Sequence, residues 1–180
     1  MTRFYGGLVW ITPLGHRPAD MAREGDYTIG WSGTINKSAL NLDVGATFLD
    51  HADNGMGKLF AQVSTDFDVK STILTPFVRV ETLKSAQDDG PDGGTYTFVG
   101  VKQMWPINNS LNFTHTLAAI YDSGVYGGDN GTVGSYQAAL QYDLYKGLLV
   151  TPSVKYIVPL SIHDEREKEF VCGVAFGYKF

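Results

Sequence analysis

The strongest constraint on this chain is an alternation of period two. Residues 169–180 read EFVCGVAFGYKF. Every second residue, Phe170, Cys172, Val174, Phe176, Tyr178 and Phe180, is apolar or aromatic. The intervening set, Glu169, Val171, Gly173, Ala175, Gly177 and Lys179, is small or polar apart from Val171. Successive side chains of a strand point to opposite faces, so this is a strand with one apolar face. A strand that closes a sequence is normally a sheet edge, and an apolar edge invites aggregation. Pairing with the first segment, around RFYGGLVW, would remove that edge by closing the sheet on itself.

Ten such segments are expected, over residues 3–12, 27–37, 39–50, 57–68, 71–84, 94–106, 110–122, 133–146, 148–161 and 168–180. Most run ten to fourteen residues, longer than the usual strand of about five or six. A tilted strand crossing a bilayer needs about nine to eleven. The connections alternate in length. Tight turns at NKSA, DVKS, PINNS and YKGL are separated by longer links such as SAQDDGPDGG and SGVYGGDNGT. The faces sort as well: Leu40, Leu42, Val44, Ala46 and Phe48 alternate with Asn41, Asp43, Gly45 and Thr47. Aromatic residues gather towards the segment ends, as at Tyr27, Phe48, Phe67, Trp105 and Tyr136. Together these features predict a single domain over residues 1–180, an all-β, ten-stranded, antiparallel up-and-down transmembrane β-barrel. Short turns would lie on the periplasmic side and longer loops outside.

Two segments depart from the pattern. In 94–106, Val99 and Val101 oppose Tyr96, Phe98 and Lys102, and in 110–122 the apolar set includes His115. A bulge would repair either face. LTPFVRV (74–80) echoes VTPSVKY (150–156), each with an inward basic residue, Arg79 or Lys155, three places after its proline. Proline removes a ladder donor, so Pro76 and Pro152 are expected at bulges.

Composition narrows the partners. The net charge is −5 and the basic residues are scattered, which argues against a nucleic-acid partner. The one cysteine, Cys172, allows no internal disulfide and sits on an apolar face, where it reads as a small hydrophobe. No apolar run approaches the length of a membrane helix. MTRFYGG is not followed by the apolar core of a signal peptide, so an exported form is expected to begin after a removed signal.

The last strand, with Phe176, Tyr178 and Phe180, resembles the C-terminal signature of bacterial outer-membrane β-barrel proteins. The resemblance covers the whole chain architecturally. It implies an outer-membrane location, contact with outer-membrane lipid and lipopolysaccharide, and a barrel assembly machinery that reads this strand. GGLVW near the start resembles a family of small uncharacterised proteobacterial barrels, from which no functional residue carries over.

Candidate chemistry lies in the lumen. Arg79, Glu81, Lys102 and Lys155 are expected at middle depth, with Asp43, Asp66 and Asp143 near the short turns. Buried charges are costly unless paired or hydrated. They form either a salt-bridge network filling a narrow barrel or a charged constriction selecting solutes. A ten-stranded interior is only somewhat larger than the eight-stranded one that side chains fill. The leading expectation is a small porin-like barrel passing small polar solutes. The alternative is a plugged barrel acting through its outer loops. A third and weaker reading is a soluble lipocalin-like barrel with an apolar lumen.

No enzyme, cofactor or bound metal is expected. His115 has no Ser beside it to activate. His16, His51 and His163, with Asp20, Asp50, Asp53 and Asp164, sit in outer loops. A protease mouth like that of the omptins, which also have ten strands, would need longer strands. The Asp-, Asn- and Gly-rich links offer oxygen atoms, but at no calcium-loop spacing. Turn chemistry accounts for them first, and divalent bridging to lipopolysaccharide second.

Overall fold

A computed structural model describes residues 2–13, 24–35, 39–50, 56–85, 93–124, 130–145, 147–161 and 168–179. Its regular elements are all strands: β1 (Arg3–Pro13), β2 (Glu24–Thr34), β3 (Leu40–Asp50), β4 (Met56–Thr65), β5 (Phe67–Val69), β6 (Thr72–Ser85), β7 (Gly94–Asn108), β8 (Leu111–Asp122), β9 (Gly131–Tyr145), β10 (Leu148–Pro159) and β11 (Glu169–Lys179). β4 and β5 both pair with β6 and are one strand interrupted at Asp66. The ring therefore has ten staves. Every neighbouring pair is antiparallel, and β1 meets β11 from Tyr5 opposite Lys179 to Pro13 opposite Val171. The apolar last strand has its partner, and the sheet has no free edge.

The turns at one end are tight. Val69 faces Thr72 across a two-residue turn in which Lys70 takes φ 57°, and Gly147 takes φ 89° before β10. Such left-handed residues match the twist of paired strands. The Asn108 side chain accepts from the Ser110 amide at 2.9 Å between β7 and β8. The longer links at the other end, including HADNG (51–55) and residues 86–92, 125–129 and 162–167, lie outside the described residues. So do residues 36–38 of NKSA, although the Ile35 amide donates to Leu40 O at 2.9 Å across that turn.

The apolar surface is on the outside. Ile29 is 71% exposed, Leu59 66% and Leu117 60%. Outward aromatics form two belts. Phe4, Phe67, Tyr142 and Tyr178 lie near the short-turn end, and Trp10, Tyr27, Phe48, Tyr121, Tyr156 and Phe170 near the long-loop end. This is the inverse of the soluble lipocalin-like barrel, which needs a polar outside. The buried cluster of Leu49, Met56 and Leu83, with Tyr96 against it, is confined to the long-loop end.

Four local expectations are corrected. β2 begins at Glu24, three residues before the expected start, because Glu24, Gly25 and Asp26 pair with Ile11, Trp10 and Val9. β7 needs no bulge between Gly94 and Trp105: its register against β6 is unbroken, with Phe98 and Lys102 inward and Val99 outward. β8 needs none at His115, which points outward and is satisfied there. Pro76 pairs in continuous register with Val101, and the register is the same on both sides of Pro152. The irregularities fall at Leu148/Leu149 and Pro106/Asn108 instead, next to turns, where a slipped residue costs fewest ladder bonds.

Inside the wall, aromatic rings lie over glycines of neighbouring strands. A Cβ at Gly30 would collide with the Tyr5 ring, one at Gly45 would sit 2.6 Å from Phe60, and one at Gly100 2.7 Å from Phe77. These glycines leave room for large inward side chains close to the sheet. Gly45→Ala is expected to destabilise the barrel by about 1–3 kcal/mol, because the added methyl also meets the Ile29 carbonyl oxygen at 2.5 Å. Urea titration of the refolded protein in detergent, read as loss of the compact gel band, checks this.

Candidate functional site: a charged lumen

Odd residues of β6 point inward, so Arg79 and Glu81 stand one above the other on the same face. The Arg79 Nε donates to Glu81 Oε1 at 2.6 Å. Across the sheet, Lys58 Nζ lies 3.5 Å from Glu81 Oε2. The Arg79 guanidinium also sits 4.0 Å above the Phe60 ring, the ring that rests on Gly45. One carboxylate thus serves two cations, and an aromatic platform holds the guanidinium in place.

A second polar group lies towards the short turns. Tyr5 Oη donates to Asp43 Oδ1 at 2.7 Å. Asp66, at the break between β4 and β5, accepts from Thr75 Oγ1 at 2.6 Å and from Asn41 Nδ2 at 3.1 Å. Its two oxygens brace three strands where the backbone ladder is interrupted. Higher on the wall, Thr28 and Thr47 share a 2.9 Å hydrogen bond.

Two cavities occupy the bore. One, of about 380 Å³, is bordered by Tyr5, Asp26, Thr28, Thr47, Lys58 and Arg79 among others. The other, of about 450 Å³, is bordered by Asp43, Asp66, Arg79, Glu81, Lys102 and Lys155 among others. Arg79 borders both, so the Arg79–Glu81 pair stands where the two volumes meet.

Of the lumen residues expected from sequence, Arg79, Glu81, Lys102, Lys155, Asp43 and Asp66 therefore surround one cavity. Asp143 does not join them. It is exposed at the short-turn rim, with its amide on Ser110 O at 2.8 Å, and borders neither cavity. Asp143 stands near the short turns, two residues before the end of β9 at Tyr145, and so lies at the rim, not in the bore. Lys58, Tyr5 and Asp26 were missed. Counting back in twos from Gln62 would have found Lys58. Asp26 precedes the expected start of β2. Tyr5 resembles any belt aromatic, and only its pairing with Gly30 shows that it points inward.

Phe176 and Tyr178 are exposed on the outer face, and Phe180 lies outside the described residues. His115 is also outward. Its Nε2 pairs with Gln103 Oε1 at 3.1 Å, and its ring stacks on Trp105 with centroids 4.6 Å apart. Thr116 borders the lumen on the opposite face, so the two do not form a reacting pair. His16, His51, His163, Asp20, Asp53, Asp164 and the side chain of Asp50 lie outside the described residues. Among the described residues, no group of three His, Cys, Asp or Glu side chains is placed to hold a metal.

No protein-family model matches the sequence, and no curated protein is significantly similar to it. Solved structures do match in shape. The β domain of the Bordetella autotransporter BrkA superposes with a TM-score of 0.63 at 10% identity, over 99% of each chain. The NanC porin matches with a TM-score of 0.55 at 10% identity over the full length of both chains. A bacterial polysaccharide outer-membrane secretin gives a TM-score of 0.59 at 9% identity, with the match covering 87% of this chain but 57% of the secretin. The fold is that of the outer-membrane barrels, a closed ring of ten antiparallel strands.

The Glu81 carboxylate is the keystone of the upper network. Glu81→Gln leaves Arg79 and Lys58 side by side without their counter-charge, so it is expected to cost about 3 kcal/mol of unfolding free energy. The loss should shrink at high salt, which screens the two cations. Urea unfolding at low and high salt measures both effects.

Proposed function

We propose that this chain is a small porin-like barrel of the bacterial outer membrane, passing small polar solutes through a narrow charged lumen. The observation that carries this reading is how the bore is kept clear. The inward rings of Tyr5, Phe60 and Phe77 lie against Gly30, Gly45 and Gly100, and two cavities meeting at Arg79 are left beside them. The outward apolar band between two aromatic belts supports a membrane setting. The likeness to barrels named porins, NanC and KdgM, supports it at the level of fold. The outward Phe176 and Tyr178, with Phe180, would serve as the strand recognised during assembly.

A plugged barrel is the competing reading, and one observation favours it. The Arg79–Glu81–Lys58 network stands at the junction of the cavities and narrows it. Conductance of the refolded protein in planar bilayers decides between them. A passage gives small, stable steps, and Arg79→Ala, which removes the side chain at the junction, raises step conductance about twofold or more. No conductance from protein that migrates as a folded barrel would overturn the passage and leave the plug.

A further inference from the structure

We propose that the passage is closed at its outer end by an apolar collar, built on Leu49, Met56 and Leu83, that acts as a gate: dry and shut at rest, wet only during brief openings. The inference rests on the lumen being a passage, and it names what regulates it. The starting point is a break in the polarity of the inner face. The interior of a membrane barrel is normally polar. Near the long-loop end the inward residues here are apolar. Leu49 is one residue from the end of β3, Met56 opens β4 and Leu83 is two residues from the end of β6. Tyr96 of β7 packs against them. Ile120 of β8 and Val133 of β9 face each other at the same end. Ile157 follows Lys155 on the inner face of β10, and Val171 faces Lys155 from β11. Leu49, Met56, Leu83, Ile120 and Val133 are all buried, Met56 completely.

Strand register carries both cavities into this collar. Along the cavity of about 380 Å³, Gly7 faces Thr28, Thr28 faces Thr47 and Thr47 faces Lys58, and the next residue in the row is Leu83. A second row of the same cavity runs from Ala175 through Val9 to Asp26, and then to Leu49, which faces Met56. In the cavity of about 450 Å³, Arg79 faces Phe98, and that row goes on to Ile120 and Val133. Lys58, Asp26 and Phe98 border the cavities, but the apolar residues next in line do not. Both open volumes therefore stop one strand step short of the collar.

Water in an apolar space finds no hydrogen-bond partners, so such a space stays dry. A hydrophobic constriction thus stops ions and polar solutes and gates by dewetting. Opening separates apolar side chains only, and the unbranched thioether of Met56 adapts without a backbone shift. Asp122, the next inward residue above Ile120, is engaged by the link beyond it, its Oδ1 accepting from the Gly124 amide at 2.9 Å. The two narrow places have different roles. Arg79 sets the width of the junction between the cavities, and the collar sets how often the path is continuous.

Single-channel recording of the refolded full chain tests this. Met56→Gln keeps a side chain of similar length and puts an amide into the collar, where it lacks partners while the space is dry. The fraction of time open should rise about tenfold or more, because the wet state satisfies the amide. Step size should stay that of the parent. Leu83→Asn should act in the same way. Met104→Gln, on the inner face of β7 towards the short turns, should leave the open fraction unchanged. A cluster that only held the strand ends together would lose stability on these substitutions and keep its open fraction. An unchanged open fraction in folded Met56→Gln and Leu83→Asn, or larger steps at an unchanged open fraction, would overturn the gate.

Oxidation by hydrogen peroxide gives a check that needs no transport. In detergent micelles Met56 should form its sulfoxide about tenfold more slowly than Met104, and Leu83→Asn should remove most of that difference. Equal rates in the parent protein would mean a wet collar, and the gate would fail whatever the conductance. Conductance whose open fraction ignores the collar defeats the gate and leaves the passage. Silence from the parent and from both collar variants, with Met56 protected, defeats the passage and makes the collar part of a plug.

Discussion

The pairing of β1 with β11 is the constraint on which everything else depends. In hydrocarbon, a backbone amide or carbonyl without a partner costs several kcal/mol. A strand can satisfy its own groups only through neighbours on both sides, so a sheet in lipid must have none without one. The register from Tyr5 opposite Lys179 to Pro13 opposite Val171 provides this at the seam. Once the ring is shut, alternation along each strand sorts side chains into lipid-facing and lumen-facing sets without further instruction. The interruption at Asp66 shows how a local break is tolerated. The lost ladder bonds fall beside a turn, and a carboxylate bonded to Thr75 and Asn41 stitches the flanking strands together.

Closure makes the inside the difficult region. A ten-stranded ring encloses a space that large residues would fill, yet Tyr5, Phe60 and Phe77 are all inward. Each lies over a glycine on a neighbouring strand. The arrangement contributes packing to the sheet and keeps the rings out of the centre. It also creates a surface on which charge can rest, since the Arg79 guanidinium sits above Phe60. Packing and electrostatics are therefore coupled at Gly45: the missing Cβ places Phe60, Phe60 steadies Arg79, and Arg79 stands between the two cavities. Glu81 bonds both Arg79 and Lys58 there, while Lys102 and Lys155 share the 450 Å³ cavity with Asp43, Asp66 and Glu81.

The outer surface contains one polar pair that a lipid-facing wall would not be expected to carry. His115 and Gln103 satisfy each other, and Trp105 and Tyr136 pack against the imidazole. The ring acts there as a belt aromatic whose one polar edge has been capped. Gln103 also donates to Thr72 Oγ1 at 3.2 Å, and Thr72 Oγ1 to Val69 O at 3.1 Å. The polarity is drained towards the short turn, away from the hydrocarbon. What looks like a fault in the sequence pattern is therefore a hydrogen-bonded chain that needs no bulge.

The sequence by itself determined the strands, their number and the two faces of most of them. Period-two alternation is a local property, readable within ten residues, and turn residues such as those of YKGL mark where it stops. It also marked Arg79, Glu81, Lys102 and Lys155 as inward, since parity along one strand fixes the face. Only the tertiary structure decided which of these residues meet. Register between strands is set by pairing along the whole ladder, so nothing local shows that Tyr5 covers Gly30, or that Lys58 reaches Glu81. Nor does parity reveal that Thr75, Lys102, Thr116, Gln137 and Lys155 share one climbing row. That row exists because closed strands tilt, and tilt is a property of the ring and not of any single strand.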